Sequence, residues 1–233
     1  QLNDGDVIAL EIGSDFDGNI QYQVENLEMS ENELMNRLLA SEAEVDARRM
    51  SSGYLQPQDW EKITTAMAAY DNSKIYISDE SMISVSDMRA KCRRLAMKEE
   101  IGLIIIDYLQ LIQGNNPTDR NQEISAISRN LKALAKELRI PIIALSQLNR
   151  ALSTRTDKRP VLSDLRDSGA IEQDADIVMF VHREEYYDRE NPDLKGKAEL
   201  IIAKNRSGPV DTLPLLFNAN ITKFKSPVKT AAY

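Results

Sequence analysis

One cysteine, one histidine and one tryptophan in 233 residues set the first limits on this sequence. Cys92 has no partner for an internal disulfide, and His182 alone can build neither a His-rich zinc site nor a His-dependent nucleophile triad. Any catalysis falls to carboxylates, amides, lysines and arginines. Basic charge is also scarce. The 29 Lys and Arg against 37 Asp and Glu leave a net charge of −8, so contact with a polyanion must be local and cannot come from overall positive potential. No run of about 18 apolar residues occurs, and no basic segment leads into an apolar one near residue 1. The sequence therefore predicts neither a membrane span nor a secretory leader, and it reads as a soluble cytoplasmic chain.

The charge that is present is unevenly spread. Residues 1–60 carry thirteen acidic and three basic side chains, whereas residues 195–233 carry seven basic and two acidic ones. Arg150, Arg155, Lys158, Arg159 and Arg166 cluster in a stretch without apolar periodicity, which is either a solvated loop or a surface for a polyanion.

Short Ile/Val-rich runs alternate with longer amphipathic stretches, the pattern of a parallel sheet wrapped by helices. The expected strands are 7–12, 20–24, 75–78, 102–107, 141–146 and 177–182. Segments 198–203 and 212–217 flank Ser207-Gly208-Pro209 and predict an antiparallel hairpin at one edge. Ser30-x-x-Glu33 and Ser84-x-x-Asp87 are helix-opening signals, and Ile124, Ile127, Leu131, Leu134 and Leu138 mark one helix face ended by Pro141. Cys92 falls on an apolar helix stripe and reads as core; His182 ends a buried strand and reads as packed. Trp60, Ile63, Met67 and Tyr70 read as one helix face. The loop at 113–117 is polar and rich in breakers, and the whole of 1–233 reads as one domain, with residues 1–25 atypical.

In open parallel sheets, ligands sit beyond the carboxyl ends of strands. Three polar residues occupy such ends here. Asp107 follows the apolar run 102–106 and is placed to hold Mg²⁺ through its water shell; Gln147 follows 141–146 and could touch a terminal phosphate; Glu28 follows the 20–24 strand and could polarise an attacking water.

These residues also lie in longer matching stretches: Asn26-Leu27-Glu28-Met29-Ser30, Ile106-Asp107-Tyr108-Leu109-Gln110-Leu111-Ile112, Ala144-Leu145-Ser146-Gln147-Leu148, Asp157-Lys158-Arg159-Pro160 through Ser163-Asp164-Leu165-Arg166-Asp167-Ser168-Gly169-Ala170-Ile171-Glu172-Gln173-Asp174-Ala175-Asp176, and Ala203-Lys204-Asn205-Arg206-Ser207-Gly208-Pro209. In order and spacing this series resembles the C-terminal ATPase domain of DnaB-type bacterial replicative helicases, from about residue 26 to about residue 226. The resemblance implies a RecA-like α/β fold, assembly into a hexameric ring, and ATP- and Mg²⁺-driven 5′ to 3′ movement on single-stranded DNA at the replication fork. By position, it implies that Glu28 is the catalytic carboxylate, Asp107 the Walker B metal acid and Gln147 the phosphate-sensing amide. It further implies that Lys204 and Arg206 form the basic pair lent to a neighbour's nucleotide, Arg206 as the arginine finger. The Arg166, Asp167 and Gly169 stretch resembles the central-channel loop that grips the DNA backbone, reading phosphates rather than bases. Primase and a helicase loader are partners expected of a full-length relative.

The match breaks at one place. A P-loop needs Gly-x-x-x-x-Gly-Lys followed by Ser or Thr, and no such run exists in the chain. After a segment resembling the family's first core strand (Gly5 to Leu10) comes Glu11-Ile12-Gly13-Ser14-Asp15-Phe16-Asp17-Gly18-Asn19, with two aspartates and no lysine. Asp167 and Asn205 stand where the family usually has Glu and Gln. The expectation is a helicase motor domain impaired in hydrolysis as the chain stands. The alternative is a non-catalytic RecA-like module that binds single-stranded DNA or packs with helicase subunits.

Overall fold

The computed structural model describes residues 7–11, 21–26, 29–71, 74–80, 83–113, 120–149, 152 and 154–227. Nine strands form one sheet, β1 (Val7–Glu11), β2 (Gln21–Asn26), β3 (Ile75–Ser78), β4 (Ile101–Asp107), β5 (Ile142–Ser146), β6 (Ile177–His182), β7 (Lys197–Asn205), β8 (Asp211–Asn218) and β9 (Lys223–Lys225), in the order β3-β2-β4-β5-β1-β6-β7-β8-β9. The four strands β3-β2-β4-β5 are parallel; every pairing from β5 across to β9 is antiparallel. The expected hairpin is β7 with β8, and β9 extends it.

Strand β4 shows why this sheet forms. It is apolar on both faces, Ile104 and Ile106 are fully buried, and such a strand is stable only when helices cover both sides. On one side α5 (Arg120–Leu138) supplies Ile124, Ile127, Leu131 and Leu134, all buried, at helical spacing. Beside it α4 (Val85–Ala96) buries Met88 and Cys92 in the same cluster. Burial of each such side chain stabilises the fold by about 1.5–3 kcal/mol. After α5, Arg139 turns into the left-handed region (φ 58°), and Pro141 rules out further helix, so the chain enters β5 at once.

The capping signals act as their chemistry requires. Ser30 Oγ accepts the Glu33 N–H at 3.3 Å while Glu33 Oε2 accepts the Ser30 N–H at 3.3 Å, a reciprocal box opening α1 (Glu31–Glu42). Ser84 Oγ accepts the Asp87 N–H at 3.1 Å to open α4. Two helices, α2 (Ala47–Ser52) and α3 (Pro57–Asp71), follow α1. The α3 face differs from the expected one. Ile63 is buried, but Trp60 is 58% and Met67 52% exposed, and the inward stripe is Asp59, Ile63 and Ala66. The buried carboxylate of Asp59 sets that rotation, because its Oδ2 accepts from the partly exposed Arg49 Nη1 at 2.9 Å and from the Gln56 N–H at 3.0 Å. Cys92 and His182 are buried, as read from the sequence.

Strand β1 runs against the expected direction. It lies between β5 and β6 but is antiparallel to both, with Val7 opposite Ser146 and Glu11 opposite Ile142. Only the nine residues 12–20 separate β1 from β2, which lies three places away in the sheet. A parallel return would need a crossover of a dozen or more residues, so the reversed strand is the arrangement a connection this short permits.

Candidate functional site

The parallel half of the sheet brings two of the candidate residues side by side. Asp107 is the last residue of β4, half-buried, and lies opposite Asn26 at the end of β2. Ile106 lies level with Ala144 on β5, so the Ser146-Gln147 end of that strand projects past Asp107 on the adjacent strand. Gln147 is exposed there while Ser146 beneath it is buried. Glu28 is two residues beyond β2 and lies outside the described residues.

Gln110, which the sequence reading did not single out, fixes this edge. It sits in the 3₁₀ turn Leu109–Leu111 directly after β4. Its amide nitrogen donates to Ser146 Oγ at 2.8 Å, and its amide oxygen accepts the Gln147 N–H at 3.3 Å. The main-chain oxygen of Gln110 accepts from Arg120 Nη2 at 2.5 Å, and Arg120 also pairs with Glu123 in the first turn of α5. One turn after β4 is thus tied both to the tip of β5 and to the start of α5. The only sequence sign of Gln110 was its place within the matched Asp107 stretch.

The basic pair lies at the other edge of the sheet. Val178 of β6 pairs with Lys204 of β7, and Ile177 with Asn205. Because β6 and β5 are both antiparallel to β1, they share a direction, and the start of β6 marks the amino edge. Lys204 and Arg206 therefore sit about 20 Å, one six-residue strand, from the edge that carries Asp107 and Gln147. Within one protomer the two groups cannot share a phosphate.

Both basic side chains are held by α6 (Gly169–Asp174) and the turn after it. Lys204 Nζ donates to the carbonyls of Glu172 at 2.5 Å, Ala175 at 2.8 Å and Gln173 at 3.4 Å, oxygens that a helix C-terminus leaves unsatisfied. Partial burial and the nearby Arg206 guanidinium push the Lys204 ammonium below the usual lysine range. Arg206 Nη2 donates to the Gln173 carbonyl, and its Nη1 faces Asp176 Oδ1 at 3.4 Å, with the side chain half exposed.

Directly before α6 the chain forms a 3₁₀ segment, Leu162–Ser168, that contains Arg166 and Asp167. Gly169 is exposed, and a Cβ built on it would meet nothing within 4 Å, so its backbone is open to close approach. Of the nearby basic cluster, Arg155 is committed internally, through Asp164 Oδ1 at 3.0 Å and the Asp157 carbonyl at 2.6 Å, and Arg159 pairs with Glu199. Those two hold the loop in place rather than offering charge to a partner.

The antiparallel β1 bears on the missing P-loop. A phosphate loop must leave the carboxyl edge, where Asp107 and Gln147 are; here β1 starts at that edge and ends at the opposite one, beside Ile142. Among the described residues no group of three or more His, Cys, Asp or Glu could hold a metal, so any cation at Asp107 would need most of its ligands from a bound phosphate and water. No helix of the described residues is long and apolar enough to cross a membrane.

Comparison with known proteins identifies the family. The model of the DnaB-like helicase C terminal domain matches residues 7–226. The replicative DNA helicase DnaB of Geobacillus stearothermophilus is 52% identical over 201 residues, and the replicative DNA helicase DnaC of Bacillus subtilis (strain 168) is 51% identical over 201 residues; each alignment takes in 85% of this chain and 44% of the relative. The chain thus spans less than half the length of these curated relatives. Among solved structures, an ATPase domain superposes with a TM-score of 0.85 at 39% identity, over 89% of this chain and 75% of that one. A DnaB-like replicative helicase, described with its interactions with primase, gives the same TM-score and identity over 89% of this chain and 51% of that one. With its RecA-like sheet, its matched residues and these relatives, the chain belongs to the DnaB-like helicase C-terminal domain family.

Proposed function

We propose that this chain is the motor domain of an ATP-dependent replicative DNA helicase, acting in a hexameric ring on single-stranded DNA. The observation that carries the proposal is the separation of Asp107 and Gln147 from Lys204 and Arg206 on opposite edges of one sheet. Such a layout is productive only if adjacent protomers meet edge to edge. One contributes the acid and the amide, and the other contributes the cations.

In that arrangement Asp107 would hold the Mg²⁺ of a bound nucleotide through water, Gln147 would contact the terminal phosphate, and Glu28 would orient the attacking water. Arg206 of the adjoining protomer would neutralise charge that develops on the transferred phosphoryl group. The Arg166, Asp167 and Gly169 backbone would meet DNA phosphates through main-chain N–H groups and a guanidinium, without base readout. The acid and amide edge fits a Mg²⁺-nucleotide. The phosphate cradle does not, since β1 leaves the wrong edge and residues 12–20 hold no lysine. As it stands the chain supplies the DNA grip and the finger but does not retain triphosphate on its own. Primase and a loader are candidate partners of the assembled protein.

The non-catalytic reading keeps one supporting observation, the lack of a P-loop run in the sequence. Binding of labelled oligo(dT) at rising salt tests the DNA half of the proposal. Affinity is expected to fall linearly in log–log form, by about 0.7 per phosphate contact, and equally for mixed sequences. No binding at low salt, or marked sequence preference, would count against it.

A further inference from the structure

Asp176 occupies the two-residue link between α6 and β6, and it divides its bonds between two distant parts of the fold. Its Oδ2 accepts from Lys132 Nζ of α5 at 2.5 Å, and its Oδ1 faces Arg206 Nη1 at 3.4 Å. Its main-chain oxygen accepts the Arg206 N–H at 2.9 Å. Asp176 therefore grips Arg206 by both backbone and side chain, and braces that grip against a helix of the core.

Two connections run outward from this carboxylate. Toward the DNA loop, α6 begins at Gly169, next to the 3₁₀ segment Leu162–Ser168, and its last carbonyls hold Lys204 and Arg206. Six helical residues, about 9 Å, separate the loop from the finger. Toward the protomer's own nucleotide edge, α5 runs from Lys132 back to Arg120, about 18 Å, where Arg120 holds the Gln110 carbonyl and Gln110 in turn holds Ser146 and Gln147. The finger is thus joined to the DNA loop by one short helix and to the protomer's own sensor by one long one.

We propose that Asp176 is a positioning residue that transmits occupancy of the DNA loop to Arg206. It holds the guanidinium against α6, so that a shift of α6 on DNA binding moves the finger with it. A phosphate-seeking arginine with both terminal nitrogens engaged inside its own protomer is not free to wander, and its aim is then set by the helix it rests on. A surface ion pair would contribute little to stability, so the role is one of geometry rather than of strength. The inference rests on the DNA-loop reading proposed above.

The test is hydrogen exchange of the unaltered chain and of Asp176→Asn, each with and without oligo(dT), alongside the affinity for the same strand. In the unaltered chain the strand is expected to slow exchange at residues 204–207. In Asp176→Asn the affinity should stay within about twofold while that DNA-dependent slowing shrinks at least about threefold, and Asp176→Glu should restore part of it. Slowing that persists in full in Asp176→Asn, or DNA binding by the unaltered chain with no change at 204–207, would overturn the inference and leave the DNA-loop reading standing. Absence of binding by the unaltered chain would overturn both. Lys132→Met, which removes the brace and leaves the carboxylate, provides a second variant and should lose the slowing in the same direction.

Discussion

Gln110 clasps the backbone of Gln147, its amide oxygen accepting the Gln147 N–H at 3.3 Å while its amide nitrogen holds the buried Ser146 hydroxyl at 2.8 Å. The backbone of the proposed sensor residue is therefore held by a side chain from the neighbouring strand's exit turn. Gln110→Leu is expected to take from Ser146 Oγ its side-chain donor, leaving only its long bond to the Gln147 carbonyl at 3.4 Å, and to cost about 1–3 kcal/mol, read as a melting temperature lower by a few degrees to about 10 °C. Gln147→Ala, which removes an exposed side chain, should stay within about 0.5 kcal/mol. Equal losses in the two variants would refute the clasp.

Gly169 allows stability to be separated from the proposed DNA contact. It adopts a helical backbone (φ −52°) with open space around its Cα, so Gly169→Ala is expected to stabilise the fold slightly, by about 0.5–1 kcal/mol. The added methyl lies where a phosphate would approach, and oligo(dT) affinity should fall about tenfold or more. Unchanged affinity in a stabilised variant would remove Gly169 from the DNA surface.

An ion pair between α4 and α5 predicts a pH dependence of stability. The hydrogen bond from Arg93 to Glu137, Nε to Oε1 at 2.6 Å, holds that carboxyl below its ordinary value of 4.5, with Arg89 adding to the effect. A carboxyl whose folded value is lowered stabilises the protein above its unfolded value and loses that contribution as pH falls through the folded one. Glu137→Gln should therefore lower stability at neutral pH and flatten the decline in melting temperature below about pH 4.5. An unaltered acid limb in urea or thermal scans would assign the effect elsewhere.

Much of this was legible in the residues because local chemistry and tertiary need agreed. Ser30 and Glu33 cap a helix wherever they occur at that spacing, and the run Leu103 to Ile106 can only be a strand covered on both faces. The turn at 207–209 likewise joins β7 to β8. The exceptions share a cause, which is that long-range partners decided them. The face of α3 follows Asp59, buried through Arg49, and apolar spacing alone put Trp60 and Met67 inside. The direction of β1 follows from the length of the connection to a strand three places away. Of the candidate site, Asp107 and Gln147 lie at adjacent strand ends as read, whereas Gln110 and Asp176, marked in the sequence only by their places in the matched stretches, act by bonding residues 36 or more and 30 or more positions away.

Nucleotide binding should reflect the reversed β1. Titration of a fluorescent ATP analogue with Mg²⁺ is expected to give no saturation below about 1 mM, since the sequence holds no P-loop run, residues 12–20 hold no lysine, and β1 ends at the edge away from Asp107 and Gln147. Micromolar binding would mean that residues 12–20 or another segment supply that cradle.

The most direct measurement is ATP turnover, with and without oligo(dT), by the unaltered chain and by a variant in which Gly-x-x-x-x-Gly-Lys-Thr and a following helix are inserted between β1 and β2. The account predicts background turnover for the unaltered chain. The variant should show DNA-stimulated turnover that falls about 10³-fold or more on Arg206→Ala. Turnover by the unaltered chain, or a nucleotide-binding variant indifferent to both DNA and Arg206, would contradict it.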